Sequence, residues 1–576
     1  MDKGSPLEQY LRGCHLELQA AEESNRGRNV VATSLLKRGS VVTTSQPLGA
    51  VPLKANRHEF CNYCFRKLGQ QYPPAALQRC SRCKAAYFCD MQCFKNAWLS
   101  YHQFVCQPPA ANDTQDENNE DQEDQELDLE MTERVALNVA RYEERRAAQP
   151  TVEEEVEDET VEVTMEAFSS LMEHREDHPK HLLAHYEQVA RTALAKSYIK
   201  ASAEDLIRYQ CRFRCNNFAI YDEQLFTIGE GTYPVASLFN HTCRPNAAII
   251  FDGALLVIKA IEDILPGQEV SIAYVDVAHA RQPRLQSLQD KYFFTCTCPR
   301  CTDDSYLGRI DAMLGEEPSD WERAQELLDP SNSFQQQVLA ASEDWDLLGH
   351  TRRFNRKNND EPELDRPLTL SLYTHFCLQR LTPYLWTARN ASFGFVSGSP
   401  PQTPPPSTNS CGTLTTFDDP PPSTCRPYPG ETYEEILEGV ITKAQQYPVP
   451  AVVPYRIRTL AAASRLFFDQ MMESKWRNAT RLGMYILVQY SIVYPPYHPM
   501  LAQHLLLLAK AAWNSIIQNE MVTQTKRLEN VQERGVRRWI VLAKEVISCT
   551  FGRQSNMWRE VVELEWIFMR EQKLKS

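Results

Sequence analysis

Asn240-His241-Thr242-Cys243-Arg244-Pro245-Asn246 packs an amide, an imidazole, a thiol and a proline-fixed turn into seven residues. Leu238-Phe239 leads into it, and Gly229-x-Gly231-x-Tyr233-Pro234 stands shortly before. Downstream, Pro266-Gly267 fits the central pair of a type II turn, and Glu269 to Tyr274 reads as the strand that leaves it. Beyond that comes Cys296-Thr297-Cys298-Pro299-Arg300-Cys301. Three thiols are one short of a closed tetrahedral zinc site, and Cys243 is the natural fourth. Its ligation would tie the opening stretch to the later segment. We read these pieces as one site and its metal clamp.

Short strands surround them. Ala248 to Phe251 and Ala254 to Ala260 are apolar runs joined by Asp252-Gly253, a hairpin signal. Asn216-Asn217-Phe218-Ala219-Ile220 begins another strand. Near the N-terminus, the turn Asn25-Arg26-Gly27-Arg28-Asn29 leads into Val30 to Thr33 and Val41 to Thr44, with Lys37-Arg38-Gly39 between them. By itself that pattern reads as an ordinary hairpin. Between these strand regions, Leu182, Leu183, Tyr186, Val189 and Ala190 recur at the spacing of an amphipathic helix, and Ala203 to Cys215 continues in that style.

The 576 residues hold 18 cysteines. Met1-Asp2-Lys3-Gly4 shows no apolar signal region, and no apolar run approaches the ~20 residues a membrane helix needs. We therefore expect a reducing compartment, where clustered cysteines more often bind metal than form disulfides. Cys61-x2-Cys64, Cys80-x2-Cys83, Cys89-x3-Cys93 and His102-x3-Cys106 place eight ligands within 46 residues, enough for two zinc sites. So short a segment has few aliphatic residues, and metal would supply its folding free energy. Cys211, Cys215, Cys377, Cys411, Cys425 and Cys549 lack such partners and read as ordinary thiols.

The formal net charge is −14, and it is local. Asn112 to Glu130 carries ten acidic residues and Glu153 to Glu162 seven, with no basic residue in either; the remainder is at about +3. Residues 107–164 read as an acidic disordered insertion acting as a spacer. After Cys301 the character turns helical: Trp321 to Leu339, Leu368 to Leu381, and most of the chain from Tyr433 onward. Ser399 to Pro429 is rich in Pro, Ser and Thr and reads as an exposed loop. Leu501, Leu505, Leu508, Ala512 and Ile516 line one helical face, and the small Ala461, Ala502 and Ala509 suit close helix approach. Paired helices in a TPR-like array fit, without a clean repeat.

The order C-x2-C, C-x2-C, Y-F-C-x3-C, H-x3-C, with Tyr87-Phe88-Cys89 and Trp98, resembles a MYND zinc finger. Asn216-Asn217-Phe218, the Gly229–Pro234 segment, the Asn240–Asn246 stretch, Tyr274 and the C-x-C-x2-C resemble a SET domain with its post-SET segment. Together, over roughly residues 1–305, the chain resembles the SET and MYND domain (SMYD) family of protein-lysine methyltransferases.

That resemblance implies an α+β fold. A β-rich SET domain (1–60 and 216–280) would carry the inserted finger (61–106), the acidic insertion (107–164) and a helical insert (165–215). A post-SET zinc segment (281–305) and an α-helical TPR-like C-terminal domain (306–576, with a Pro-rich loop at 399–429) would follow. It implies interleaved finger sites, Cys61, Cys64, Cys89 and Cys93 on one zinc and Cys80, Cys83, His102 and Cys106 on the other. It also implies S-adenosylmethionine (SAM) as cofactor, held by Asn240 and the His241 backbone, with Asn216 and Arg26 at its amino-acid end and Phe294 on the adenine. Arg28 departs from the family, which often has a small polar residue there; it would contact the cofactor carboxylate or point to solvent. Tyr274 would orient amine and methyl, and Phe218 and Tyr292 would line the lysine channel.

The expected activity is SAM-dependent methylation of lysines in histones or other proteins, with three zinc ions. The competing reading is a non-catalytic adaptor whose finger recruits partners, Pro-rich ones among them. The near-neutral remainder argues against direct DNA binding. A monomer in cytoplasm and nucleus, without a membrane, completes the expectation.

Overall fold

The structure, a computed structural model, describes residues 4–20, 27–68, 76–108, 120–147, 155–302, 307–308, 310–311, 457–518 and 526–575. Helix α1 (Pro6–Gly13) starts on a capping box in which Ser5 and Glu8 satisfy each other's backbone N–H. Strands β1 (Leu16–Gln19), β2 (Asn29–Ala32), β3 (Val41–Ser45) and β4 (Gly49–Pro52) follow. The two β-branched runs form β2 and β3 but do not pair as a hairpin. β2 lies antiparallel to β1. The linker between β2 and β3 is already engaged, because Leu36 exchanges both backbone hydrogen bonds with Ile264, at 3.0 and 2.9 Å.

The finger contributes β5 (Gln78–Arg79), β6 (Tyr87–Phe88), α2 (Met91–Ala97) and α3 (Gln103–Val105). Next come α4 (Glu120–Ala147), α5 (Glu155–Ser169), α6 (Lys180–Leu194) and α7 (Ala203–Asn216). Over 120–147, helix α4 corrects the reading of the insertion as a disordered spacer. Its acidic start gives way to Leu127, Met131, Val135 and Val139, four residues apart and on one face. Met131 and Val135 are fully packed in the same core as Leu16, Phe60 and Phe239. Asn138 donates to Leu48 O (2.6 Å), and Arg141 donates to Leu99 O (2.5 Å) and Ser100 O (2.9 Å) in the finger. The charge run hid a brace between finger and sheet.

The remaining strands are β7 (Asn217–Tyr221), β8 (Thr227–Thr232), β9 (Asn240–His241), β10 (Ala247–Asp252), β11 (Leu255–Ala260) and β12 (Ser271–Ile272). One sheet runs β4-β8-β7, a second β10-β11-β3, and β9 lies parallel to β12. The hairpin expected at 252–253 forms with Gly253-Ala254 as its two-residue loop, Asp252 opposing Leu255. Gly267 sits at φ +81° in the expected turn, with Gln268 N bonded to Leu265 O at 3.0 Å. The strand after it is short, Ser271–Ile272 rather than 269–274. At Gly229 an added Cβ would stand 2.5 Å from the Phe65 ring, so glycine there lets the finger dock on β8.

Helix α8 (Arg281–Tyr292) precedes the C-x-C-x2-C segment. The C-terminal helices are α9 (Ile457–Met472), α10 (Trp476–Val493), α11 (Pro499–Ile517), α12 (Lys526–Thr550) and α13 (Asn556–Lys575). Each packs on the next, as the short connections require of TPR-like pairs. On α11 Leu501, Leu505, Leu508 and Ala512 are buried, and Ile516 partly so. Ala502 and Ala509 lie at helix contacts, whereas Ala461 is exposed and does not. This layer shares one core with Ala248, Ile250 and Val257 of the β10-β11 hairpin. Tyr494 donates to Asp276 (2.9 Å), two residues beyond Tyr274. The expectations for 321–339, 368–381 and 399–429 fall outside the described residues, as do Arg26, Cys377, Cys411 and Cys425. No described helix is long and apolar enough to cross a membrane.

Candidate active site and its metal clusters

The Asn240–Asn246 stretch and the strand after Gly267 lie side by side because β9 and β12 pair in register, Asn240 with Ser271 and His241 with Ile272. Asn246 fastens the pair. Its Nδ2 donates to Glu269 O (2.9 Å) and its Oδ1 accepts from Ser271 N (2.9 Å). Pro245 sets the turn that aims it there.

Tyr274 is held at both ends. Its backbone N–H donates to His241 Nδ1 (2.9 Å) and its hydroxyl donates to Phe239 O (2.7 Å). Its ring lies 4.8 Å from Tyr292 and 6.3 Å, edge-on, from Phe294. Tyr292 returns a hydrogen bond to Tyr274 O (3.3 Å). Burial pushes the Tyr274 phenol well above its ordinary pKa, with Tyr292 and Glu269 adding to the shift and Arg28 opposing it. The phenol is therefore neutral and a fixed dipole.

The expected cofactor residues divide. His241, Tyr274 and Phe294 form one aromatic group, with His241 5.4 Å from Tyr274 and 6.2 Å from Phe294. Arg28 is half-buried, and burial lowers its pKa. Asn240 Nδ2 is engaged with Arg28 O (2.8 Å) and Glu269 Oε1 (3.0 Å). Asn216 turns its amide back onto Arg212 O (2.8 Å) and Met172 O (3.4 Å), closing the end of α7. Tyr292 lies against Tyr274, whereas Phe218 meets Tyr233, 6.0 Å ring to ring.

Cys243, Cys296, Cys298 and Cys301 converge, all four sulfurs within 4.8 Å of one another. Four Zn–S bonds of ~2.3 Å in a tetrahedron put the sulfurs about 3.8 Å apart, so the set fits one zinc. Two side chains surround it. His241 Nδ1 accepts from Tyr274, which assigns the ring proton to Nε2, 3.3 Å from Cys243 Sγ. Arg284, fully buried, donates Nε to Cys243 Sγ (3.2 Å) and pairs with Asp311 at 2.7 and 3.0 Å. A four-thiolate zinc carries two negative charges, and Arg284 offsets part of them.

The finger brings together Cys61, Cys64, Cys89 and Cys93, and separately Cys80, Cys83, His102 and Cys106. Both sets fit zinc by the same distance test. Burial, with Arg134 nearby, lowers the His102 pKa and keeps the imidazole neutral, as a ligand must be. Asn62 knits the module, donating to Arg57 O (2.8 Å) and Phe60 O (2.9 Å) and accepting from Tyr87 N (3.1 Å).

Sequence reading missed α8, Arg284 and Asp311. Pro283 and a polar start disguise the helix, and nothing local links Arg284 to Asp311. It also passed over Asn246 as a site residue, although Asn246 stood in the opening stretch.

Residues 27–275 match the SET domain family model. Histone-lysine N-methyltransferase SMYD3 of Mus musculus is 26% identical over 319 residues, 54% of this chain and 67% of that protein. N-lysine methyltransferase SMYD2 of Homo sapiens is 28% identical over 282 residues, 48% of this chain and 58% of that protein. A solved SET domain of LSMT bound to lysine and AdoHcy is 9% identical with a TM-score of 0.26, covering 98% of this chain and 92% of that one, a likeness that carries no argument. Over about half its length the chain is similar to these SET-domain lysine methyltransferases, and its three ligand clusters each fit a zinc ion.

Proposed function

We propose that the chain is a SAM-dependent protein-lysine N-methyltransferase acting on histone or other protein lysines. The observation that carries this reading is Tyr274, a neutral phenol fixed by His241, Phe239 and Tyr292 inside a SET domain. When bound, SAM supplies a methyl on a positively charged sulfur. Arg28 is a half-buried cation suited to its carboxylate, the His241–Phe294 aromatic pair suits its base, and Asn240, Asn216 and Arg26 complete the proposed cofactor set.

Methyl transfer to nitrogen is an in-line displacement that asks for positioning above all. The substrate ammonium would first give a proton to water, and the bound cofactor would supply its methyl to the neutral amine. Tyr274 spends its own proton on Phe239 O, which leaves the phenol oxygen to accept from the amine. Tyr292, its ring tilted against that of Tyr274, makes one wall of the channel, and Phe218 is proposed as another.

Pro-rich partners for the finger belong to the same proposal, supported by Met91, Leu99 and Val105, which stand exposed on it. A monomer in cytoplasm and nucleus is carried as part of it. The test is transfer of labelled methyl from SAM to core histones and to proteins of a cell extract. Wild type should label, and Tyr274→Phe should lose about 100-fold with its zinc intact. Equal label in both would remove Tyr274 from the chemistry. Absence of SAM binding in the wild type would return the chain to the adaptor reading.

A further inference from the structure

Two elements far apart in sequence meet beside Tyr292. The end of α7 is bonded to the end of α8: Arg214 Nη2 donates to Asp290 O (3.1 Å), and Cys215 Sγ to Lys291 O (3.5 Å). Strand β7 leaves that junction at once, so Asn217 and its partners on β8 stand next to Lys291 and Tyr292. Asn217 Nδ2 donates to Glu230 Oε1 (2.6 Å), and Asn217 Oδ1 accepts from Thr232 (2.7 Å). Lys291 Nζ lies 5.4 Å over the Tyr292 ring, which is 4.8 Å from Tyr274. These bonds gather Glu230, Lys291, Tyr292 and Tyr274 around the junction of α7, α8 and β7.

Glu230 is an unusual group for such a place. It is half-buried, and removal from water raises its carboxyl above the ordinary range, against the pulls of Asn217 and Lys291. Its charge reaches Tyr292 as well, after the larger effects of burial, Cys215 and Tyr221. Among the described residues Glu230 and Lys291 feel each other without closing into an ion pair. A partly desolvated carboxylate bonded only to a neutral amide gains from a cation brought against it. The other charges facing it are Arg214, at the junction, and Asp128 and Asp124 on α4. The acidic side is the larger.

We propose that Glu230 is a specificity-determining residue that draws a positively charged side chain of the substrate into the space beside Tyr292, and that Lys291 of this chain stands opposite it as a competing cation until substrate arrives. The inference rests on the methyltransferase reading and names its substrate class, lysines in cationic segments. Glu230 has no part in the transfer itself. It should act on KM and leave kcat unchanged.

The probe is a fluorescent decamer of lysine. Its binding to the full chain is followed by anisotropy, and its methylation by label from SAM. Glu230→Gln should weaken binding about tenfold, raise KM by the same factor at unchanged kcat, and flatten the salt dependence. Lys291→Met should tighten binding about threefold. That gain should vanish in the double variant, because Lys291 acts through Glu230. Zinc content and SAM binding of each variant report that it is folded. Wild-type binding by Glu230→Gln would overturn the proposal. So would an equal loss in Asp124→Asn, which would show only a diffuse acidic surface. A wild type that binds the decamer but labels no protein would count against the methyltransferase reading and leave the role of Glu230 in binding standing.

Discussion

The finger takes all eight of its ligands from residues 61–106, and its clusters are encircled by their own aromatics, Phe88, Phe94, Trp98 and Tyr101, each 5.5 to 6.4 Å from His102. The third cluster takes Cys243 from the bend just after β9 and three cysteines from a later segment. Its neighbours are His241, which also holds Tyr274, and Arg284, which also holds Asp311. Metal in the finger folds a module. Metal at the third cluster sets the position of a tyrosine. The same ligand chemistry differs in consequence because one set is local in the chain and the other is not.

The contrast is broken most severely at Arg284. Arg284→Met removes both short bonds to buried Asp311 and leaves it paired with Arg300 at 3.4 Å, which should cost about 3 kcal/mol and speed chelator extraction of one zinc of three. Adding Asp311→Leu should lower stability further, because buried Arg300 then loses its carboxylate partner. Thermal melts with zinc-release kinetics measure both, and the finger zincs should leave at the wild-type rate.

The C-terminal helices, which have no metal cluster among their described residues, should respond to acid instead. His504 is buried and donates Nε2 to Gly483 O (2.6 Å). Burial pushes its pKa down to about 4, against the raising pull of that bond. A folded pKa below the unfolded ~6.5 means that its contribution is complete above pH 6.5 and is lost as pH falls toward 4, by about 3 kcal/mol. His504→Gln should flatten that part of the stability-versus-pH curve in urea melts.

His241 sharpens the comparison from the other side. His241→Leu removes both the hold on Tyr274 and the donor to Cys243. Methyl transfer should fall about 100-fold, near 2.7 kcal/mol in the barrier, with zinc still at three per chain. His102→Ala in the finger should lose one zinc and change transfer only a few-fold. The smallest effect belongs to the brace. Arg141→Ala removes the bonds from α4 to Leu99 O and Ser100 O and should cost about 1 kcal/mol, read as faster proteolysis within the finger.

How far the sequence could be read follows the same division. The zinc ligands were legible because ligand chemistry fixes both residue type and spacing. The Asn240–Asn246 stretch was legible because amide, imidazole, thiol and proline leave few other uses. Helix α4 was not, since ten acidic residues outweigh a stripe of four apolar ones until the core against it is known. The β2–β3 hairpin failed because a strand chooses its partner by burial, and Leu36 had a better one in Ile264. Ala461 failed because a small residue permits close approach without requiring it. Glu230 and Arg284 carried no local signal; only the fold brings them to Lys291 and Asp311.

The most direct measurement is zinc content and SAM affinity for Cys243→Ser and Cys64→Ser side by side, by metal analysis and calorimetry. Each should fall to two zincs. Cys243→Ser should also lose most SAM binding, while Cys64→Ser should keep it within a few-fold. Three zincs in Cys243→Ser, or equal SAM affinity in the two variants, would contradict a site held together by its third cluster.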